Sequence, residues 1–384
     1  MRVDSASSSR GPRLPLGFAA MLVLLVLIES FIVSRDLDFV HPWSWDWRLT
    51  GQAARKEAKD CEILCLGDSL VKFGVPPRVL EARLGRKAYN LAIGAANAPT
   101  TYFLLRRAIE AGAKPKVIVV DYKPHLLTYD LDSYTRHWPE FLTARECLEL
   151  AFETRSAGFA LETLVGRCLP SVRARFEIRA NVEAAWRNES SSPREAVVPA
   201  WRNWRVNRGA QIMPRNPFAA SQKFAWTTDL FPPRWRPLPI NRRYVDRLFA
   251  FAESRGILVY WVIPPLSPAT QLESERIGLD RKYEAFVRQV QTRHPGVIVV
   301  DGRHADYGQD LHFDPIHLDR AGAAAFATDL AKIIKRSEHD STRANLAWIA
   351  LPRRLEQAIE PAPMMEDLEQ SRIALQERLR QIKK

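Results

Sequence analysis

The stretch Cys61-Glu62-Ile63-Leu64-Cys65-Leu66-Gly67-Asp68-Ser69-Leu70 decides how the chain is read. Its apolar run has the length and composition of a fully buried strand, and it breaks at Gly67-Asp68-Ser69. A strand ending in a tight turn that carries a serine exposes a hydroxyl. In open α/β sheets ligands bind in the crevice beyond the carboxyl ends of the strands, so Ser69 falls where chemistry is expected. A serine hydroxyl is nonetheless a weak nucleophile unless a base stands within hydrogen-bond reach and a third group orients that base.

Such a pair lies far downstream, in Leu311-His312-Phe313-Asp314-Pro315-Ile316-His317-Leu318-Asp319. Two residues between Asp314 and His317 put both side chains on one turn, where the carboxylate can hold Nδ1–H and leave Nε2 facing the serine. Short motifs are judged by their context. Here Gly-Asp-Ser follows the first expected strand and Asp-x-x-His precedes the last expected helix of the domain. Between them, apolar runs at 62–66, 88–93, 116–120, 257–263 and 297–300 alternate with helical patterns at 77–85, 99–112, 241–255, 273–293 and 320–336. Pro99-Thr100 opens the second of these helices, and Asp319 is a cap for the last. Strands alternating with helices imply right-handed crossovers and an α/β fold with a mainly parallel sheet covered on both faces.

Together these residues resemble the SGNH (GDSL-type) hydrolase superfamily over roughly residues 61–337. In that superfamily the nucleophile lies in an early Gly-Asp-Ser, and the acid and base share a late Asp-x-x-His. The resemblance implies a three-layer, flavodoxin-like arrangement with a five-stranded sheet. It also implies Ser69 as nucleophile, His317 as general base and then general acid, and Asp314 as its orienter. Members usually draw oxyanion donors from the serine's own backbone, a Gly after the second strand and an Asn after the third. Gly94, in Tyr89-Asn90-Leu91-Ala92-Ile93-Gly94-Ala95-Ala96-Asn97, corresponds to the second donor, with Ala95 one residue on as an alternative. The third block departs from the pattern. After Val117–Val120 the chain reads Asp121-Tyr122-Lys123-Pro124-His125, with no Asn. Losing one such donor can cost about 100-fold or more in rate, so an active site needs a substitute. Asn97 is the first candidate and Lys123 the second. Asp68 and Asp121 share the same edge as substrate-binding candidates, and among the lone histidines His125 and His312 lie near it.

The departure resembles divergent, membrane-associated members that act in cell-envelope polysaccharide O-acetylation. Three readings follow. The first is an esterase working on acyl, foremost acetyl, esters through Ser69, His317 and Asp314. The second is an O-acetyltransferase, in which a sugar hydroxyl replaces water as acceptor. The third is a non-catalytic scaffold that binds polysaccharide.

Residues 14–33, LPLGFAAMLVLLVLIESFIV, carry Glu29 as their only charge and are long enough to cross the hydrocarbon core as a helix. Arg2, Arg10 and Arg13 precede them and a mixed Arg35-Asp36-Leu37-Asp38 follows. The positive-inside bias therefore puts 1–13 in the cytoplasm as a tail and the rest outside. A cleavable signal peptide is the rival; its apolar region would be shorter and end in small residues, whereas this one ends Glu29-Ser30-Phe31-Ile32-Val33. Residues 34–60 read as a linker, whose Trp43, Trp45 and Trp47 suit either a belt at headgroup level or a packed connector.

The α/β pattern breaks between 126 and 240. No structureless loop of that length belongs in a compact domain, so this is an inserted cap subdomain between a first part of the domain at 61–125 and a second at 241–337. Its first half is helical in pattern. Residues 171–245 hold 14 Lys and Arg against 5 Asp and Glu, with Trp186, Trp201, Trp204, Trp226 and Trp235 among them. Aromatics interleaved with Arg suit sugars or anionic polymers; equally, the rings suit the small core of a cap and the arginines its solvated side. Insertion before the fourth strand would set this cap beside the carboxyl edge of the sheet, over the pocket. From 338 to 384 the chain is read as leaving the domain, with Met365, Leu368, Leu375, Leu379 and Ile382 spaced for a short amphipathic helix.

The net charge of +12 suits an anionic polymer or lipid headgroups as well as nucleic acid, and charge alone chooses none of them. The sequence has no zinc-ligand spacing, no Gly-rich phosphate loop and no nucleic-acid motif, so neither a metal, a cofactor nor a nucleic-acid partner is expected. An acylated small molecule or carbohydrate and the membrane are the expected partners, and the oligomeric state is open. Cys61 and Cys65, about 13 Å apart at strand rise, are too distant to bridge one another, while Cys147 and Cys168 can pair or stay free.

Overall fold

The computed structural model describes residues 16–219, 231–232, 234–339, 347–354 and 363–382. The expected tail 1–13 and Trp226 lie outside these described residues.

Four short apolar runs become the strands β1 (Ile63–Leu66), β3 (Val117–Val120), β4 (Leu258–Ile263) and β5 (Val297–Asp301), and β2 (Ala88–Asn90) lies beside β1. All pairings are parallel and the order is β2-β1-β3-β4-β5-β6. Side chains alternate between the faces, as the period of two requires. Leu64, Leu66, Ile118, Val120, Trp261 and Val299 enter one core, while Ile63, Cys65, Val117, Val119, Val262 and Val300 enter the other. Helices α2 (Pro42–Lys56), α5 (Ala98–Glu110), α12 (Pro239–Glu253) and α14 (Leu279–Arg293) cover the first face; α3 (Ser69–Gly74), α4 (Pro77–Leu84) and α15 (Arg320–His339) cover the second. Strands buried on both sides are why these runs are apolar throughout rather than alternating.

Several expectations change. The sheet has six strands, not five, because β6 (Trp348–Ala350) adds to the edge of β5. Three residues are too short a run to stand out in a sequence, and Trp348 earns its place by stacking: the Arg288 guanidinium lies 4.2 Å from its ring. The chain therefore does not leave the domain after 337. Helix α16 (Leu368–Ile382) docks on α11 (Arg194–Val206), with Met365 buried and Asn203 Nδ2 donating to the Glu366 carbonyl at 2.8 Å. The helical pattern at 273–293 is two helices, α13 (Pro268–Arg276) and α14, because Gly278 between them takes a left-handed φ of +71° that ends one and starts the next. The linker at 34–60 is the core helix α2. Trp47 is fully buried against Trp138 and Phe141, which decides for the packed connector at Trp45 and Trp47, while Trp43 is exposed.

Helix α1 (Leu16–Ser34) is long and apolar enough to cross a membrane, and only Ile32 of it is buried. Its single carboxylate is accounted for. Glu29 accepts from the Ser171 N–H at 2.9 Å and from the Ser171 hydroxyl, at the start of α9 (Pro170–Arg173) in the insertion. An ionisable group in such a helix is expected to be partnered, and here the partner belongs to the insertion.

Among the described residues, the first half of the insertion lies on the flank of the domain rather than over its carboxyl edge. Its helices α6 (Trp138–Phe141), α7 (Ala144–Thr154) and α8 (Ala157–Cys168) pack laterally, with Trp138, Phe141, Leu150 and Phe159 extending the core around Trp47. Helix α10 (Arg175–Trp186) continues from α9. The apolar face of α2 is what draws this half sideways. The segment after α11 reaches the carboxyl edge, where Asn216 Nδ2 donates to the Phe313 carbonyl at 2.7 Å. Trp204 and Trp235 are core residues, whereas Trp186 and Trp201 are exposed. All four cysteines are free thiols, so Cys147 and Cys168 do not pair.

Candidate active site

Ser69 is the first residue of α3, directly beyond the carboxyl end of β1, and Asp68 caps that helix by accepting the Leu70 N–H at 2.9 Å. The amides of a first helical turn have no intrahelical partner, so the serine N–H is a natural donor to an anion on the serine's own side chain. The turn is as tight as the sequence suggests. Gly67 has φ +120°, and a Cβ there would lie 1.9 Å from Asp121 Oδ1 and 2.8 Å from the Asp121 carbonyl. No other residue lets the β1 turn approach β3 this closely.

The structure brings the two distant motifs together. Ser69 Oγ lies 2.8 Å from His317 Nε2, and His317 Nδ1 lies 2.7 Å from Asp314 Oδ2. Asp314 Oδ1 also accepts the N–H groups of Ile316 and His317 at 2.9 and 2.8 Å, which locks the turn and aims the carboxylate. The ring of Phe73, one turn along α3 from the serine, packs edge-on against the imidazole at 4.8 Å. With Nδ1–H donated to Asp314, Nε2 is free to accept the serine proton.

Lys123 completes the group. Its ammonium donates to Ser69 Oγ at 3.1 Å, and its backbone N–H donates to Asp68 Oδ2 at 2.9 Å. Of the two candidate substitutes, the structure sets the Lys123 ammonium on the serine, while Asn97 holds α5 through its oxygen and keeps its amide donor without a protein partner. Asn97 Oδ1 caps α5 by accepting from the Thr100 N–H and hydroxyl, and its Nδ2 is buried without a partner. Gly94 is likewise engaged: its N–H donates to Asp46 Oδ2 at 3.2 Å. Asp46, on α2, also binds the buried Lys72 ammonium at 2.7 Å. This pins the loop in which Ala95 adopts a left-handed φ of +58°, a conformation that costs a non-glycine residue about 1–2 kcal/mol. Reading 34–60 as a linker hid Asp46; a lone Asp among tryptophans carries no signal of the glycine it will meet.

Asp68 and Asp121 are positioned as supports rather than as groups open to substrate. Both are buried, and the Asp68 N–H donates to Asp121 Oδ1 at 2.9 Å. Burial, reinforced by the Asp68 charge, holds Asp121 well above the usual carboxylate range and favours its protonated form. His125 is buried beside the site, and burial together with the charges of Lys123 and His317 holds it well below the usual histidine range. His312 Nδ1–H donates to the Gly308 carbonyl at 2.9 Å, and His312 does not enter the triad. Among the described residues no cluster of His, Cys, Asp and Glu is arranged to hold a metal ion.

The electrostatics favour a neutral imidazole. Burial lowers the pKa of His317; the Asp314 hydrogen bond opposes it and the Lys123 charge adds to it, and the balance lies below the ordinary value. For Asp314, burial alone would raise the pKa, but the His317 bond and the two backbone donors outweigh it. A base must be unprotonated to act, so a depressed pKa extends its working range toward acid. The acid limb of any Ser69-dependent rate is therefore expected to have its midpoint below the unperturbed histidine value of about 6.5. A kcat/KM profile between pH 4 and 8 measures it, and a midpoint above 7 would contradict this assignment of the base.

No protein-family profile matches the sequence, and no curated protein is similar to it at a significant level. The site thus stands on its geometry.

Proposed function

We propose that this protein is a membrane-anchored serine hydrolase of the SGNH type that cleaves acyl esters, acetyl foremost, through an ester on Ser69. One observation carries the reading. A serine oxygen at the carboxyl edge of a parallel sheet is bound simultaneously by an imidazole backed by a carboxylate and by a buried ammonium.

In the first step Ser69 Oγ attacks the ester carbonyl carbon while its proton passes to His317 Nε2. The carbonyl oxygen gains the negative charge, and the Lys123 ammonium and the Ser69 N–H are the donors at hand to receive it. Collapse breaks the bond to the leaving oxygen, which takes the proton from His317. Water, deprotonated by the same imidazole, then hydrolyses the acyl-serine. A sugar hydroxyl in place of that water would make the protein a transferase using the same residues, since the acceptor is set by how far the site excludes water.

The span of α1, preceded by arginines, supports an orientation with the N-terminus in the cytoplasm and the domain outside. The test is covalent. Full-length protein in detergent micelles, treated with a fluorophosphonate, is expected to yield one adduct, mapped by mass spectrometry to Ser69. Labelling elsewhere, or none, counts against the reading.

A further inference from the structure

Between the carboxyl ends of β3 and β4 lies a cavity of about 50 Å³ that the mechanism above does not use. Two of its lining residues stand beside the serine. Leu70 follows Ser69 in the chain, and Lys123 is the residue whose ammonium touches Ser69 Oγ. The rest of the lining combines Tyr122, Ile263, Leu266 and Tyr283 with the polar Gln271, Ser274, Asp280 and Arg303.

We infer that this cavity is the acyl pocket of the Ser69 site and that it selects a short, uncharged acyl chain; the inference rests on the serine-ester reading. Volume sets the length. A water-sized group needs about 10–15 Å³ of such space, so the cavity holds roughly three to five non-hydrogen atoms beyond the carbonyl carbon. Acetyl to butyryl chains fit and an octanoyl chain does not.

Charge in the lining sets the second property. Of the two cations in the lining, the Lys123 ammonium is on Ser69 Oγ, and Arg303 is already engaged: Nη1 binds Asp280 at 2.7 Å, Nε and Nη2 bind Asp301 at 2.9 and 2.6 Å, and Nη2 binds Glu284 at 3.1 Å. Three carboxylates against one guanidinium leave no attraction for an acyl chain ending in a carboxylate, such as succinyl. The wall does carry two buried oxygens without partners, Asp121 Oδ2 and Gln271 Oε1.

The test uses full-length protein with p-nitrophenyl acetate, butyrate, octanoate and hemisuccinate, each also run on Ser69→Ala as background. The expected order is acetate and butyrate within about tenfold of one another, and octanoate and hemisuccinate at least 100-fold lower in kcat/KM. Ser274→Leu, which adds bulk to the lining, is expected to lower the butyrate-to-acetate ratio at least tenfold, and Leu266→Ala to raise octanoate relative to acetate by a similar factor. Ser69-dependent turnover in which both variants keep the parent's chain-length profile, or in which hemisuccinate matches acetate, overturns the pocket while leaving the hydrolase reading standing. Absence of Ser69-dependent turnover of every ester, with no adduct on Ser69, overturns both.

Discussion

Replacing Ser69 by alanine is expected to lower acetyl-ester turnover by at least 1,000-fold and to leave the fold in place. The reasoning is one of separable roles. On the proposed mechanism Ser69 Oγ bonds to the acyl carbon, and no other hydroxyl lies in hydrogen-bond contact with His317 among the described residues. Without it, only the polarising effect of Lys123 and the imidazole on a bound water remains, and a triad stripped of one member keeps only a small residue of its rate. Stability responds differently. The serine hydroxyl joins two hydrogen bonds, and after its removal the Lys123 ammonium still has Asp68 Oδ1 at 3.8 Å. A cost of no more than about 1–2 kcal/mol follows from the loss of one acceptor at a site that water can reach. Initial rates with p-nitrophenyl acetate and a urea titration of the same two preparations check both halves. Turnover by the variant equal to the parent's would remove Ser69 from the mechanism.

The second large effect is expected at Lys123. Lys123→Met keeps the length and apolar stem of the side chain and removes the charge, and kcat is expected to fall about 100- to 1,000-fold. An ammonium about 3 Å from a developing oxyanion is worth about 5 kcal/mol at an effective dielectric near 20, before desolvation. That exceeds the net value of a neutral hydrogen bond, which is about 0.5–1.5 kcal/mol, so the lysine can do the work of the carboxamide donor the chain lacks. A second readout separates this role from simple support of the fold. The Lys123 charge is one of the causes that lower the His317 pKa, so its removal is expected to move the acid limb of the kcat/KM profile to higher pH. A variant that loses rate with its acid limb unmoved would place Lys123 outside the electrostatics of the base.

Much of this was legible in the chain itself. The buried runs Ile63–Leu66, Val117–Val120 and Val297–Val300 are apolar at every position because both faces of a parallel sheet are covered, and that alone specifies the class of fold. The flavodoxin-like strand order was implied by the resemblance; right-handed crossovers fix the face on which each helix lies, not which strands are neighbours. Ser69, Asp314 and His317 were visible because each motif is local: a tight turn after a strand, and an acid and an imidazole on one turn. Local geometry is written in consecutive residues.

What the sequence could not decide depends on which surfaces meet. Met365 and Trp348 look like parts of a tail until the open edge of β5 and the groove beside α11 receive them. Asp46 gains its task from Gly94, 48 positions away, and Lys123 outranks Asn97 only because Asp68 holds its backbone beside the serine. The first half of the insertion lies on the flank because Trp138 and Phe159 bury their apolar surface there beside Trp47. Hydrophobic periodicity and turn chemistry act between near neighbours and are read one window at a time; long-range pairing of charges and faces is settled only when the whole chain has closed around them.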